Sequence, residues 1–296
     1  MILTYTVLEA EEGQKISNIL RNKLNISSRL LTKLKMNKKI LVNDVPVFSS
    51  HIVKSGDFIN VKIDFEEEDY IETEDIALEI LYEDEYLLAV NKPAGMVVHP
   101  SSYHLNGTLA NGVKHYLNNN KKIRPINRLD RDTSGIVLFA KNEYIQECMK
   151  QGNTMQKEYL TILTGLLDDK CGTINAPIAR KPGSIMERIV DESGQLAITH
   201  YKVLEESYND DITLSLVQVQ LETGRTHQIR VHFCYKGNSI LGDTLYGKET
   251  NLINRQALHA WKLSFMHPIS KKSICIEASL PVDITNVLDT THFKKI

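Results

Sequence analysis

The chain has 296 residues, 42% of them hydrophobic and 24% charged, with 35 Lys/Arg against 37 Asp/Glu. That balance excludes disorder and fibre, and leaves room for one large core or two domains. No run approaches the roughly 18 apolar residues of a membrane helix, and the start MILTYTVLEAEEGQK is too polar for a secretory signal, so a cytoplasmic protein with no membrane association is expected. The four cysteines are too widely spaced for a paired metal or redox site and read as reduced packing residues.

Charge is uneven along the chain. From Lys15 to Ile63 there are ten basic residues against two acids, Asp44 and Asp57, a local balance of +8, and the stretch from Asp64 to Asp75 then holds eight acids and no base. This predicts a basic domain over 1–63, an acidic linker over 64–76 and a large domain over 77–296. Within the basic unit, ISSRLLTKLKMNKK predicts a helix capped by Ser27 or Ser28, with Leu30, Leu31 and Leu34 as its buried stripe and Arg29 and Lys33 together on another face. ILVNDVPV alternates around an Asn43-Asp44 turn and FINVKI supplies a further strand, so helices followed by short strands are expected. Arg29, Lys33, Lys35, Lys38 and Lys39 form a compact basic patch suited to a phosphate backbone. The segment SSRLLTKLKMNKKILVNDVPV...VKSGDFINVKI resembles the S4 RNA-binding domain, which implies contact with structured RNA through those basic residues.

In the large domain, two apolar runs flank a turn at Tyr82-Glu83-Asp84-Glu85, and NKPAG reads as a loop. Strands are expected at 135–141, 158–163 and 213–221. In the last, Leu214 and Leu216 are out of phase with Val217, Val219 and Leu221, which predicts a bulge near 216. The class is therefore α+β: a helix-and-hairpin module followed by a domain with a mixed, largely antiparallel sheet. In LETGRTHQIRVHF, Thr226 is the expected cap of a helix that carries Arg230 one turn on. His227 and His232 are five apart, unlike the four-residue spacing of a zinc pair, and read as hydrogen-bonding groups, so no metal site is expected. No phosphate-binding glycine loop and no serine elbow is present.

PINRLDRDTSGIVLFAK places Arg128, Asp130, Arg131 and Asp132 at the mouth of a buried strand. NRLDRDTSGIVLFAK resembles the "H-R-L-D-x-x-T-S-G" motif of the RluA/RluD family of pseudouridine synthases, and NKPAGMVVHP, ETGRTHQIRVH, ILGDTLYG and RQALHAWKLSFMHP follow that family in the same order over about 80–282. The resemblance implies isomerisation of uridine to pseudouridine in structured RNA. Ribosomal RNA is the first candidate and transfer RNA the second. It also implies catalysis without a cofactor. Nothing in the sequence marks an oligomer, and a monomer is the default expectation. The resemblance gives Asp130 as nucleophile, Arg230 as its partner and Tyr159 as the aromatic face against the flipped base. Arg128, Asn127, Arg225, His227 and Gln228 are the implied substrate-binding residues. Asn127 departs from the family histidine and cannot carry charge, which keeps a non-catalytic RNA-binding factor as the alternative.

Overall fold

A computed structural model describes residues 1–65, 69–101, 104–118, 122–151, 155–209 and 212–293. Chain order begins with β1 (Ile2–Thr6), α1 (Ile16–Asn22), α2 (Ser28–Met36), β2 (Ile40–Val42), β3 (Val45–Pro46) and β4 (Phe58–Lys62). It continues with β5 (Glu79–Glu83), β6 (Leu87–Lys92), α3 (Leu109–Leu117), β7 (Arg124–Pro125), β8 (Ser134–Ala140), α4 (Glu143–Gln151) and β9 (Gln156–Thr164). Next come β10 (Cys171–Asn175), β11 (Ile178–Arg180), β12 (Arg188–Val190), β13 (Ile198–Asn209), β14 (Ile212–Leu221), α5 (Gln228–Tyr235), β15 (Leu258–Met266), β16 (Ser273–Glu277) and α6 (Val282–Thr290).

The first unit is a four-stranded sheet in the order β1-β4-β2-β3 with α1 and α2 supplying its apolar cover. Ser27 caps α2 by accepting the Leu30 N–H at 3.1 Å, and Leu30, Leu31 and Leu34 are buried as their spacing requires. Asn43 and Asp44 both have positive φ, the type I′ geometry that matches strand twist in a two-residue hairpin. Strand β1 is a finding the pattern did not announce. It alternates only between exposed and half-buried positions, so no apolar period marks it.

The larger sheet runs β10-β13-β14-β9-β15-β8-β6-β5, with β16 on β15 and β7 on β8. Among the described residues its one parallel pairing is β15 with β8, so the sheet is mixed and largely antiparallel as expected. All seven residues of β8 are buried, which is why its sequence is an unbroken apolar run rather than an alternation. The phase change near residue 216 has a different origin from the one expected. Residues 214–217 of β14 are buried on both faces, and the register shift lies on the partner strand between Val203 and Glu205, opposite Val217 and Leu216.

Two features seat the N-terminal unit. One apolar cluster runs from Leu30, Leu34 and Val61 into Leu87, Ala89, Leu138 and Phe265 of the large sheet. Lys33 pairs with Glu143 of α4 at 2.9 Å and stacks over Phe65. The later part of the acidic strip, 69–76, is held against α3 and the segment after it: the Glu72 carbonyl accepts from Asn111 Nδ2 at 2.9 Å, and the Asp69 carboxylate accepts the Ile123 N–H at 2.9 Å. Residues 66–68 of that strip lie outside the described residues.

Gly135 at the start of β8 has φ +112°, and a Cβ there would lie 2.2 Å from the Ala260 carbonyl oxygen. Only glycine lets β8 approach β15 so closely beside the Asp130 loop. Gly135→Ala is expected to destabilise the fold by about 3 kcal/mol or more, since backbone strain and overpacking combine. Urea unfolding measures this, and an unchanged midpoint would contradict the geometry.

Candidate active site

Asp130 sits in the turn between β7 and β8, where the Thr133 N–H donates to the Asp130 carbonyl at 3.2 Å and buried Leu129 anchors the chain. The turn is braced from several sides. Asn127 Nδ2 donates to the Ile136 carbonyl at 3.0 Å, and its Oδ1 accepts the Leu138 N–H at 2.8 Å. Both ends of that amide are thus committed to the edge of β8, so the geometry makes Asn127 a scaffold group rather than a free substrate contact.

Behind the turn, Lys92 is fully buried and donates to the carbonyls of Pro93, Met96 and Arg131 at 2.7, 2.7 and 2.9 Å. Burial pushes its ammonium down to about 7, while Asp132 and Asp130 draw it back up. Three carbonyl acceptors use all three N–H bonds of the charged form. From α6, Asp283 holds Arg255 at 2.6 and 2.9 Å, and Arg255 in turn donates to the Asp132 carbonyl at 3.0 Å and Ser134 Oγ at 3.3 Å. Lys92→Met keeps the volume but strands three carbonyls. A stability loss of about 3 kcal/mol or more is expected, with activity falling in parallel, because each of the three unsatisfied buried acceptors costs roughly 1–3 kcal/mol. Matching thermal midpoints for the variant and the parent would contradict this role.

Arg230 reaches the site from the first turn of α5. Asp243, fully buried, takes its Nε and Nη2 in a fork at 2.7 and 2.8 Å, leaving Nη1 to donate to Asp130 Oδ2 at 3.2 Å. Burial opposes the guanidinium charge, but the Asp243 fork and then Asp130 outweigh it and raise its pKa. The result is a fixed cation aimed at one carboxylate oxygen.

The helix cap differs from the expected one. His227, not Thr226, is the N-cap; it lies in the left-handed region at φ +58° and makes no side-chain cap bond. A non-glycine residue there costs roughly 1–2 kcal/mol. Gln228 holds the turn: its Oε1 accepts from Thr223 Oγ1 and the Arg225 N–H at 2.9 Å each, and its Nε2 donates to Ile198 O and Thr199 Oγ1 at 3.0 Å each. Gln228 is therefore consumed in positioning. Arg225 is exposed and donates to the Leu196 carbonyl at 2.9 Å. His232 is buried between Thr199 Oγ1 and the Ala176 carbonyl, a structural role as expected.

Tyr159 of β9, 7% exposed, lines a narrow recess with Asp130, Arg230, Leu221 and Leu258. Burial, and then the Asp130 charge, pushes its hydroxyl pKa up, so the ring presents a neutral phenol. The recess adjoins a cleft of about 890 Å³ with Asp130 and His227 on its wall. Arg29, Lys122, Arg124, Arg128, Arg131 and Lys150 line that cleft against three carboxylates, Asp130, Glu143 and Glu147. Arg128 is exposed at the junction of the cleft and the recess.

The fold thus brings Asp130, Arg230, Tyr159, Arg128, His227, Arg225 and Gln228 around one recess. Of the basic patch on the first unit, Arg29 reaches the cleft, and Lys35 and Lys38 are exposed. Lys33 and Lys39 pair with Glu143 and Asp64 at 2.9 Å each, and Arg29 Nε lies 3.8 Å from the same Glu143. Asp243, Lys92 and Arg255 escaped sequence reasoning. Their segments, ILGDTLYG, NKPAG and RQALHA, were visible, but partners of each lie outside those segments, 13 residues away for Asp243, 28 for Arg255 and up to 39 for Lys92, and leave no local signal.

A family model described as RNA pseudouridylate synthase matches residues 86–235, and one described as RluD ribosomal pseudouridine synthase N-terminal domain matches residues 3–59. The chain is 39% identical to the uncharacterized RNA pseudouridine synthase YhcT of Bacillus subtilis (strain 168), over 97% of each chain. It is 36% identical to the ribosomal large subunit pseudouridine synthase D of Zymomonas mobilis, over 82% of this chain and 81% of that one. The solved structure of human RNA pseudouridylate synthase domain containing 1 superposes with TM-score 0.57 at 25% identity, covering 72% of this chain and 86% of that chain. With this fold, this ordered set of motifs and relatives that match it nearly end to end, the chain belongs to the RNA pseudouridylate synthase family.

Proposed function

We propose that the protein isomerises specific uridines to pseudouridine in structured RNA, with large-subunit ribosomal RNA as the substrate, acting in the cytoplasm. The observation that carries this reading is the Asp130 carboxylate at the wall of a basic cleft, held by Arg230 on Oδ2 at 3.2 Å and adjoining the Tyr159 recess. Its other oxygen, Oδ1, has no protein donor among the described residues and is free to meet the reacting sugar.

The reaction is an isomerisation in which atoms balance without a redox partner or cofactor. The C1′–N1 bond breaks and a C1′–C5 bond forms; C5 loses a proton and N1 gains one. Asp130 is the nucleophile at the sugar–base junction, and Arg230 holds its direction. The uracil leaves its stack and packs on Tyr159, which offsets part of the unstacking cost. Arg128 and Arg225 at the mouth contact the phosphates beside the flipped nucleotide.

The N-terminal unit, 1–63, is an S4-like RNA-binding domain. Its Arg29 extends the cleft wall, so RNA bound by that unit passes the Asp130 turn. Released tritium from RNA transcribed with [5-³H]uridine tests the reading, since only attack at C5 expels that hydrogen. Rapid, site-limited release from large-subunit RNA is expected, and release from transfer RNA alone would redirect the substrate assignment. Arg29→Glu is expected to weaken RNA binding about 10-fold at 0.1 M salt with kcat unchanged, because it reverses a charge on the cleft wall away from the reacting atoms. Filter binding reads this, and undiminished affinity would remove the N-terminal unit from the RNA path.

A further inference from the structure

Asp130 has a second neighbour beside Arg230. His227 Nε2 lies 3.8 Å from Oδ2, the same oxygen that Arg230 addresses. The other ring nitrogen, Nδ1, lies 2.9 Å from the Tyr246 hydroxyl, and the two rings pack edge to face with centroids 5.6 Å apart. Tyr246 Oη also accepts the Arg188 N–H, from β12, at 2.8 Å. Among the described residues the Tyr246 hydroxyl hydrogen then has one acceptor, His227 Nδ1. A ring nitrogen that accepts carries no hydrogen, so the hydrogen-bond network assigns the hydrogen of the neutral ring to Nε2, facing Asp130.

The support for this arrangement is shared with Arg230. Asp243 Oδ1 accepts the Leu245 and Tyr246 N–H groups at 3.1 and 3.2 Å while its carboxylate grips Arg230. One buried turn therefore places both groups that face Asp130. His227 itself sits at the N-cap of α5 with a left-handed backbone, φ +58°.

We infer that His227 is a positioning residue for Asp130, held by Tyr246 in the tautomer that directs its Nε2–H at Oδ2 and so reserves Oδ1 for the substrate. The inference rests on the reading of Asp130 as nucleophile. At 3.8 Å the contact is longer than a hydrogen bond and closes when the nucleotide enters, as catalytic contacts in unliganded sites commonly do. The charged and titratable groups around the ring are Asp130, Arg230, Arg188 and Asp243, with Tyr246 at Nδ1. Burial, aided by Arg230 and Arg188, holds the ring neutral against the pull of the two carboxylates. Protonation would turn the donor into a cation clamped on the nucleophile.

Two readouts on the intact protein test this. In ¹⁵N-histidine NMR at pH 7.5, with His227→Gln to assign the signal, His227 is expected as the single Nε2–H tautomer. Tyr246→Phe keeps the ring packing and removes the hydroxyl. It should give a mixture of tautomers and raise the pH at which His227 takes up a proton, because the donor that opposed protonation at Nδ1 is gone. In single-turnover tritium release, the acid limb of the Tyr246→Phe profile should move up by the same amount. His227→Gln keeps an N–H and should stay within about 10-fold of the parent, whereas His227→Ala should lose about 100-fold in rate with substrate affinity little changed. An Nδ1–H tautomer in the parent would overturn the inference. So would rates for the Gln and Ala variants that are equally low while the Tyr246→Phe profile superimposes on the parent. If no RNA releases tritium with any form, the isomerase reading fails, and the tautomer seen by NMR still decides the geometry.

Discussion

Asp130→Asn is expected to lower the isomerisation rate by at least about 10³-fold while leaving the affinity for RNA within a few-fold of the parent. Asparagine has nearly the same volume and can still accept from Arg230 Nη1, so the turn and the cleft wall survive. On the proposed reading, what disappears is the anionic oxygen that attacks. The asymmetry at Asp130 sharpens the expectation, since the donors face Oδ2 and leave Oδ1 open. Single-turnover rates and filter-binding affinities on the same RNA measure the two effects separately. A variant that retains the parent's rate would remove Asp130 from the chemistry. A joint collapse of rate and binding would make it a recognition group instead.

Asp243→Asn should be the most damaging change outside the recess. Asp243 is fully buried and holds two of the three guanidinium nitrogens of Arg230, which is itself only 7% exposed. Breaking such a pair from one side leaves a buried cation short of countercharge, at a cost of about 3–5 kcal/mol. Arg230 then has Asp130 as its remaining carboxylate and is drawn toward it, so, if Asp130 acts as proposed, the surviving folded enzyme should be about 100-fold slower. The same residue holds the Tyr246 N–H, so the defect reaches His227 as well. Urea unfolding with an unchanged slope and a lower midpoint, together with the residual rate, checks both parts. Parent-like stability would mean that the fork contributes little beyond an apolar contact.

What could be read from the sequence follows from how local each signal is. The α2 stripe of Leu30, Leu31 and Leu34 with its Ser27 cap, the Asn43-Asp44 hairpin and the buried β8 run are each specified within about ten residues, and the structure contains all of them. The Asp130, Tyr159 and Arg230 segments could be named from motif order, and the fold converges them on one recess. Features that depend on distant partners were not legible. Asp243 looks like any Gly-Asp turn until Arg230 is packed against it. Lys33 reads as a free basic residue until α4 supplies Glu143. Asn127, conspicuous as a departure from the family histidine, turns out to be bonded at both ends to β8. The cap at His227 depends on a left-handed backbone, which histidine adopts more readily than most residues but still uncommonly, and the β1 strand has too little apolar alternation to stand out.

The most direct test of the account is a map of pseudouridines by carbodiimide-stop sequencing across ribosomal and transfer RNA. It would compare the host with cells lacking this gene, complemented by the parent or by Asp130→Asn. The account predicts that one or a few sites in large-subunit ribosomal RNA vanish with the gene, return with the parent and do not return with the variant. Unchanged modification at every site would contradict uridine isomerisation as the protein's role, and would leave an RNA-binding protein that retains the synthase fold.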